Sequence, residues 1–355
     1  MLERFRDNLR FVFQPRRKPG LVPHVAASMV KHRLQPDVRR RPLRNIDIAL
    51  NYSCNMRCDH CSCEMMKRSC GRTLDSDDLR RVADEALELG AIYFAFTGGE
   101  PLLNRDLEEI IQLFHPTKCL IGLQTNAVLL DEARIESLYR AGLDSIQVSL
   151  DSGDPAVHDG FRHIAGAFET TIANVDKAMA RGLKVIFCTT LTHSTLRTTE
   201  TLDLLDFCRA KRVPVVVSIP CPVGNWQGNF SETLTDDDRA YLVELQVRYP
   251  QLRRDFHSNY RKLGCSAGTE KLYITPYGDV IPCPFIHISF GNVKDEPLGD
   301  IRGRMLKLDR FTEYNQVCLA GEDQAFIERY VKPTYEAKRL PQDWADHPVL
   351  AGVCG

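Results

Sequence analysis

The chain has 355 residues, 43% of them hydrophobic and 26% charged, with a net charge of −1. That length accommodates a full-sized core plus a smaller appended unit, and the balance is ordinary for a soluble globular protein. No apolar run approaches the roughly 20 residues of a membrane span, and the N-terminus lacks the apolar stretch of a signal peptide. Thirteen cysteines in such a chain point to a reducing compartment and to metal ligation rather than disulfides. The expectation is a cytoplasmic metalloprotein.

Charge is uneven. Residues 1–44 carry twelve Lys/Arg against three acids, a net of +9 that leaves −10 on the remainder. Arg16, Arg17, Lys18, Arg39, Arg40 and Arg41 belong to this arm, and 22–34 reads as a short helix. Such an arm can dock on an anionic membrane surface or a phosphate-bearing partner. The commoner fate of a charge run is a solvated arm packed on the outside of a domain. No stacking aromatic series accompanies it, so nucleic acid is not an expected partner.

From residue 46 onward, strand-like runs at 46–50, 92–96, 119–123, 145–150, 184–190 and 213–219 alternate with helical segments at 77–89, 106–114, 131–141, 168–181 and 198–211. Leu79, Val82, Ala83, Ala86 and Leu87 form one apolar face at helical spacing. Gly90, Gly142 and Gly182 follow three of the helices, where a C-terminal stop is expected. Six strand–helix repeats imply a parallel sheet with right-handed crossovers. Six are too few to close an eight-stranded barrel. The predicted fold class is therefore α/β, a partial (β/α)6 barrel with functional loops at the C-terminal ends of its strands.

The motifs fall at those ends. Cys54, Cys58 and Cys61 follow the first strand. Three thiolates on one short loop can hold three irons of a four-iron cube and leave the fourth open, whereas electron-transfer ferredoxins close every corner with cysteine. Zinc would need a fourth ligand, which His60 or Cys63 could supply, so spacing alone leaves both metals open. The second strand ends in Thr97-Gly98-Gly99-Glu100-Pro101. Its glycines let backbone approach a ligand closely and Glu100 offers an acceptor to an ammonium group, although a plain Gly-rich turn would look the same. Gln124-Thr125-Asn126 ends the third strand, Ser149-Leu150-Asp151 the fourth, and Thr189-Thr190 the fifth. Cys221, after the sixth, faces the expected active-site mouth and is a candidate catalytic residue on the substrate side. Cys119, Cys188 and Cys208 sit in apolar contexts and read as packing.

The C-x3-C-x2-C spacing, with the ring of His60 before the last cysteine, resembles the radical SAM superfamily. Thr97–Pro101 is similar to that family's GGE motif, 124–126 to its TNG with Ala127 in place of glycine, and 149–152 to its SLDG. The resemblance covers about residues 46–220. It implies a [4Fe-4S] cluster on Cys54, Cys58 and Cys61 whose open iron chelates the amino and carboxylate groups of S-adenosylmethionine. An electron from the cluster then breaks the sulfonium bond and releases a 5′-deoxyadenosyl radical. It further implies that Gly98, Gly99 and Glu100 grip the methionyl amine and that Ser149 contacts the ribose. His60, Asn126 and Asp151 complete the cofactor-binding set, Asp151 with the alternative role of capping a turn. A reductant protein of flavodoxin or ferredoxin type is an implied partner.

After a helical run at 236–248, Cys265, Gly278 and Cys283 give C-x12-G-x4-C. The segments 272–275 and 280–282 flank Pro276-Tyr277-Gly278 as a β-hairpin. This resembles the opening of a SPASM or twitch extension, which carries auxiliary clusters. Only Cys318 and Cys354 remain, so Cys265, Cys283, Cys318 and Cys354 would hold one auxiliary [4Fe-4S] cluster. If Cys354 is instead a spare thiol, that cluster keeps an open iron. Sulfatase-maturing relatives place a basic aspartate directly after the second hairpin cysteine; Pro284 stands here, which speaks against that activity. The expected organisation is a basic arm (1–44), a partial barrel (45–225), a linker and helix (226–260) and an α+β auxiliary-cluster domain (261–355).

The implied function is hydrogen abstraction from a sugar, nucleotide, lipid-linked or peptide substrate, for oxidation or rearrangement in a biosynthetic pathway. About 45 residues before the first strand are too few for a fused peptide-recognition domain, and the basic arm leans the expectation toward an anionic substrate. A non-catalytic iron–sulfur electron carrier and a zinc-bound scaffold are the readings from other classes.

Overall fold

The computed structural model describes residues 18–255, 264–313 and 315–354; Arg16 and Arg17 lie outside them. The expected strand–helix alternation is present. Strands β1 (Asn45–Asn51), β2 (Tyr93–Gly98), β3 (Leu120–Thr125), β4 (Ser145–Ser149), β5 (Lys184–Thr190) and β6 (Val215–Ser218) pair in sequence order, all parallel. One face is fully buried from β1 to β6, through Ile46, Phe94, Ile121, Ile146, Phe187 and Val215. On β5 and β6 burial alternates along the strand, so the opposite face there is only half-buried.

The helices are set by ordinary capping chemistry. Helix α1 spans Leu21–Leu34, and α2 (Ser76–Glu88) opens on a capping box in which Asp75 and Asp78 reciprocate. The buried face of α2 is Leu79, Val82, Ala83 and Ala86, with each large side chain contributing about 1.5–3 kcal/mol. Helix α3 (Leu107–Leu113) is short. Helix α4 (Glu132–Ala141) stops at Gly142, and α6 (Ala167–Arg181) at Gly182, both left-handed. Between the last two lies α5 (Pro155–Arg162), which the sequence reading missed: it is only eight residues long, although the Asp154 cap and Pro155 in its first turn mark its start. Helices α7 (Thr199–Ala210) and α8 (Asp236–Arg248) follow.

The sheet extends beyond the six expected strands. β7 (Leu252–Arg254) adds parallel to β6. The expected hairpin forms from β8 (Lys271–Ile274) and β9 (Val280–Ile281), but it does not stand apart. β8 pairs parallel with β1, Asn45 opposite Lys271 and Ile48 opposite Ile274. The result is one nine-stranded sheet in the order β7-β6-β5-β4-β3-β2-β1-β8-β9, an α/β partial barrel continued by the hairpin of the C-terminal unit. A small parallel pair, β10 (Ile288–Ser289) and β11 (Gln342–Asp343), and helix α9 (Leu298–Met305) complete that unit.

The described part of the basic arm is packed, not free. Lys18 is buried, donating to Asp144 Oδ2 at 2.5 Å and to the carbonyl of Cys119 at 2.7 Å. Helix α1 rests Leu21 and Val25 on Leu120, Ile92 and Tyr93, and Ser28 donates to the carbonyl of Gly90 at 3.0 Å. These are the starts of β2 and β3, the opposite end of the sheet from the motif loops. Among the described residues no helix is long and apolar enough to cross a membrane.

Candidate active site

The cysteine loop leaves β1 and is clamped by the loop after β2. Gly99 N donates to the carbonyl of Asn51 and Glu100 N to that of Ser53, both at 2.8 Å. A Cβ on Gly98, whose φ is +133°, would collide with the Asn51 carbonyl, and one on Gly99 with that of Ser53. The two glycines thus admit the backbone of the cysteine loop itself, a use the sequence reading, which had them admitting a ligand, did not anticipate.

Glu100 is fully buried. Its Oε1 accepts from Leu102 N at 3.0 Å and Thr125 Oγ1 at 2.7 Å, and its Oε2 from Asn126 N at 2.9 Å. Burial pushes its carboxyl upward against those three donors. The carboxylate therefore clasps the β2 and β3 loops together, with both oxygens already engaged by protein donors. Asn126 Nδ2 donates to Asn55 Oδ1 at 2.8 Å, tying the β3 end to the middle of the cysteine loop. Ala127 has a φ of +61°, which explains why glycine suits that position. Ser149 stands half-buried at the end of β4, opposite Cys188.

The sequence reading overlooked Arg162 at the end of α5. Its Nε donates to Asp151 Oδ2 at 2.6 Å and a terminal nitrogen donates to Cys58 Sγ at 3.2 Å. Burial alone would raise the Asp151 carboxyl, but the Arg162 guanidinium, with His60 and His158, holds it below its ordinary range. Asp151 thus acts on the loop through Arg162. His60 stacks flat on Phe161, centroids 4.9 Å apart; burial and the charge of Arg162 lower its pKa to about 4, so the ring is neutral. Asn225, after β6, donates from Nδ2 to the Cys58 carbonyl at 3.0 Å and from its backbone to that of Cys61 at 2.9 Å.

The three thiols differ electrostatically. Burial raises Cys54 to about 11 and also raises Cys58, while a hydrogen bond from the Cys63 side chain, against burial, lowers Cys61 to about 6. Among the described residues no trio of His, Cys, Asp or Glu is gathered into a ready-made single-ion site. A tetrahedral zinc would demand sulfurs about 2.3 Å from one centre; an iron–sulfur cube holds its cysteines farther apart. Three cysteines on one loop are the donor set of a cube with one open iron. Of the twelve buried side-chain polar atoms without a hydrogen-bond partner among the described residues, four lie at strand ends or the loops after them: Asn51 Oδ1, His60 Nδ1, Asp151 Oδ1 and Thr189 Oγ1. Each would cost about 1–3 kcal/mol if nothing satisfied it, so the site fits a polar cofactor.

A small cleft opens beside the loop, lined by His60, Ser62, Thr190, Ser218, Trp226 and Phe285 among others, none of them Lys, Arg, Asp or Glu. Cys221 is on its wall. Cys221 and the four cysteines of the C-terminal unit sort into two places. Cys265, Cys283 and Cys318 come within electrostatic reach of one another, and the Cys221 thiol interacts with that of Cys318 and senses Cys283. Cys354 is not brought to them. It is buried on a terminal turn at Ala351–Cys354, where Lys307 Nζ donates to its carbonyl at 3.0 Å and its charged neighbours are Lys307 and Arg304. The turn packs Cys354 beside the end of α9, which fits the alternative in which it is a spare thiol.

Comparison with known proteins accords with this geometry. The family model of the radical SAM superfamily matches residues 48–208, and that of SPASM, an iron–sulfur cluster-binding domain, matches 265–320. An AdoMet-dependent heme synthase of Methanosarcina barkeri is 25% identical over 278 residues, covering 71% of this chain and 80% of that protein. A PqqA peptide cyclase of Ruegeria pomeroyi is 27% identical over 271 residues, 71% of each. Among solved structures, Streptococcus suis SuiB bound to its precursor peptide SuiA superposes with a TM-score of 0.59 at 17% identity, over 78% of this chain and 67% of that one. The chain belongs to the radical SAM superfamily, as an enzyme that uses S-adenosylmethionine and a [4Fe-4S] cluster and carries a SPASM-type domain for auxiliary iron–sulfur binding.

Proposed function

We propose that this enzyme abstracts hydrogen from an uncharged, polar portion of a small molecule, or from a single side chain of a peptide, presented at the C-terminal ends of the barrel strands beside His60. When bound at Cys54, Cys58 and Cys61, the cluster supplies the electron that cleaves S-adenosylmethionine to a 5′-deoxyadenosyl radical. The chain's own residues do the rest. Glu100 and Asn126 lock the cysteine loop to the ends of β2 and β3, and Arg162 and Asn225 fix Cys58 from the other side. Asn51, His60, Asp151 and Ser149 offer polar atoms to the cofactor. Trp226 and Phe285 keep the cleft apolar and exclude water, so a primary radical meets the substrate first, while Thr190 and Ser218 supply hydroxyls for orientation.

The observation that carries this reading is the adjacency of the cleft to the clamped loop, through His60 and Ser62. Its uncharged lining supports a neutral reacting group over the anionic one suggested by the basic arm, whose described part packs at the other end of the sheet. A flavodoxin- or ferredoxin-type protein is the proposed electron donor. The relatives include a heme synthase and a peptide cyclase, so both substrate sizes occur among similar proteins. The test is anaerobic reconstitution with iron and sulfide, followed by dithionite and S-adenosylmethionine. 5′-Deoxyadenosine is expected from the wild type and not from a Cys54/Cys58/Cys61→Ala variant. Its absence from both, with and without an extract containing candidate substrates and with the cluster filled, would overturn the reading.

A further inference from the structure

We propose that Cys221 is the fourth protein ligand of the auxiliary cluster, completing Cys265, Cys283 and Cys318 and leaving Cys354 outside. The inference rests on the SPASM-type domain and not on the proposed substrate chemistry, so either can fail alone.

Four thiols from four separate stretches of chain converge. Cys265 precedes β8, Cys283 follows β9, Cys318 lies in the loop beyond α9, and Cys221 follows β6 in Ile219-Pro220-Cys221-Pro222. Cys265 bridges antiparallel to Asn315, three residues before Cys318, and Cys221 lines one recess with Phe285, two residues past Cys283. Backbone packing corroborates the placement. A Cβ added to Gly321, three residues past Cys318, would fall 3.0 Å from Cys221 Sγ and 2.6 Å from the Pro220 carbonyl. The Cys318 loop is therefore seated directly on the end of β6.

That seat is built rather than incidental. Cys318 N donates to Glu322 Oε2 at 2.7 Å, and Arg254 on β7 donates to both Glu322 oxygens at 2.5 Å. Cys265 N donates to the Asn315 carbonyl at 2.6 Å. The Cys318 and Cys265 backbones are thus tied to neighbouring segments, while the Cys221 thiol donates to the Ile219 carbonyl at 3.3 Å. One buried thiol is usually inert packing. Four that converge from distant parts of the chain form the donor set of a closed [4Fe-4S] cluster.

Position 221 lies between the two segments that the family models match, 48–208 and 265–320. The ligand is contributed by the barrel, so the cluster would bolt β6 to the C-terminal unit. Four cysteines also leave no iron open, which removes substrate ligation from the roles of this cluster.

The experiment uses the Cys54/Cys58/Cys61→Ala chain, in which only the auxiliary cluster remains. Iron per chain and the EPR spectrum of the dithionite-reduced protein are compared for that background and for added Cys221→Ser or Cys354→Ser. Cys354→Ser is expected to keep about four irons and an unchanged spectrum. Cys221→Ser is expected to lose iron or to show an altered signal. Retention of iron and spectrum in Cys221→Ser, or their loss in Cys354→Ser, would overturn the proposal. A misfolded Cys221→Ser would not obscure the answer, because thiol alkylation read by mass spectrometry is run on the background chain before and after chelation. Cys221 should be protected only when iron is present, together with Cys265, Cys283 and Cys318. Equal labelling of Cys221 in both states would count against ligation.

Discussion

Arg162 shows how one residue can hold a site together without being part of a motif. Its guanidinium is buried between the Asp151 carboxylate and the Cys58 sulfur, two groups that both favour its charge. Replacing it with Met keeps the apolar volume but strands Asp151 as an unpaired buried carboxylate. Breaking one side of such a pair costs about 3–5 kcal/mol. Arg162→Met is therefore expected to lower apo-protein stability by that amount in urea melts, and Asp151→Asn, which strands the buried Arg162 guanidinium, to cost a similar amount. The reconstituted Arg162→Met cluster should also have a lower reduction potential, since it loses a hydrogen bond and a positive charge at sulfur. Equal urea midpoints for wild type and variant would refute this assignment. Glycine geometry offers a second test at the same scale. Gly99→Ala must push Ser53 aside and with it Cys54, so iron retention by the first cluster should fall. Gly160→Ala, whose added carbon meets nothing within 4 Å, should be neutral or stabilise α5 by up to about 1 kcal/mol. Ala127, at a φ of +61°, shows a motif glycine replaced at tolerable cost: the left-handed strain of about 1–2 kcal/mol is partly offset by a buried methyl worth about 0.8 kcal/mol.

Helices in this chain are anchored by side chains that also tie them to neighbours. Asp238, in the first turn of α8, accepts from Thr235 N at 2.9 Å and from His193 Nδ1 at 2.7 Å, and also pairs with Arg197. Burial pushes its carboxyl up, but the hydrogen bonds from His193, Thr235 and Arg197 outweigh it and hold the group well below the usual carboxylate range. A carboxyl with a depressed folded pKa adds stability that is fully present above its unfolded value of about 3.9. That contribution is lost as pH falls through the folded value. Asp238→Asn should therefore destabilise by about 1–3 kcal/mol at neutral pH, with the gap to wild type closing below about pH 4. A gap that stayed constant down to pH 2 would show that the charge is not what matters. The capping signature around Thr235 was readable in advance, since 236–248 was the expected helix and is the observed one. The partners His193 and Arg197 were not, because they come from the loop after β5.

On the scale of the whole molecule, the C-terminal unit is joined to the barrel by sheet as well as by side chains. β8 continues the ladder on the β1 side, and Arg302 donates to the carbonyls of Arg41 and Thr269 at 2.9 and 2.7 Å. The hairpin was legible from Pro276-Tyr277-Gly278 between two apolar runs, but its parallel docking on β1 was not. Strand pairing between residues more than 200 positions apart leaves no local pattern, and the three-residue β7 is too short to carry one.

By itself, the sequence determined the repeated strand–helix order and the motif loops at the strand ends. It also located the cysteines that occupy one short loop, because periodicity and covalent spacing are local properties of the chain. Tertiary structure alone decided which distant groups meet. It placed Arg162 on Cys58 across 104 positions and seated the loop after Cys318 on Cys221. It also turned Cys354 away from them and set the glycines of the second loop beneath the first. Spacing along a chain limits what near neighbours can share, whereas contacts between remote residues depend on how every intervening element packs.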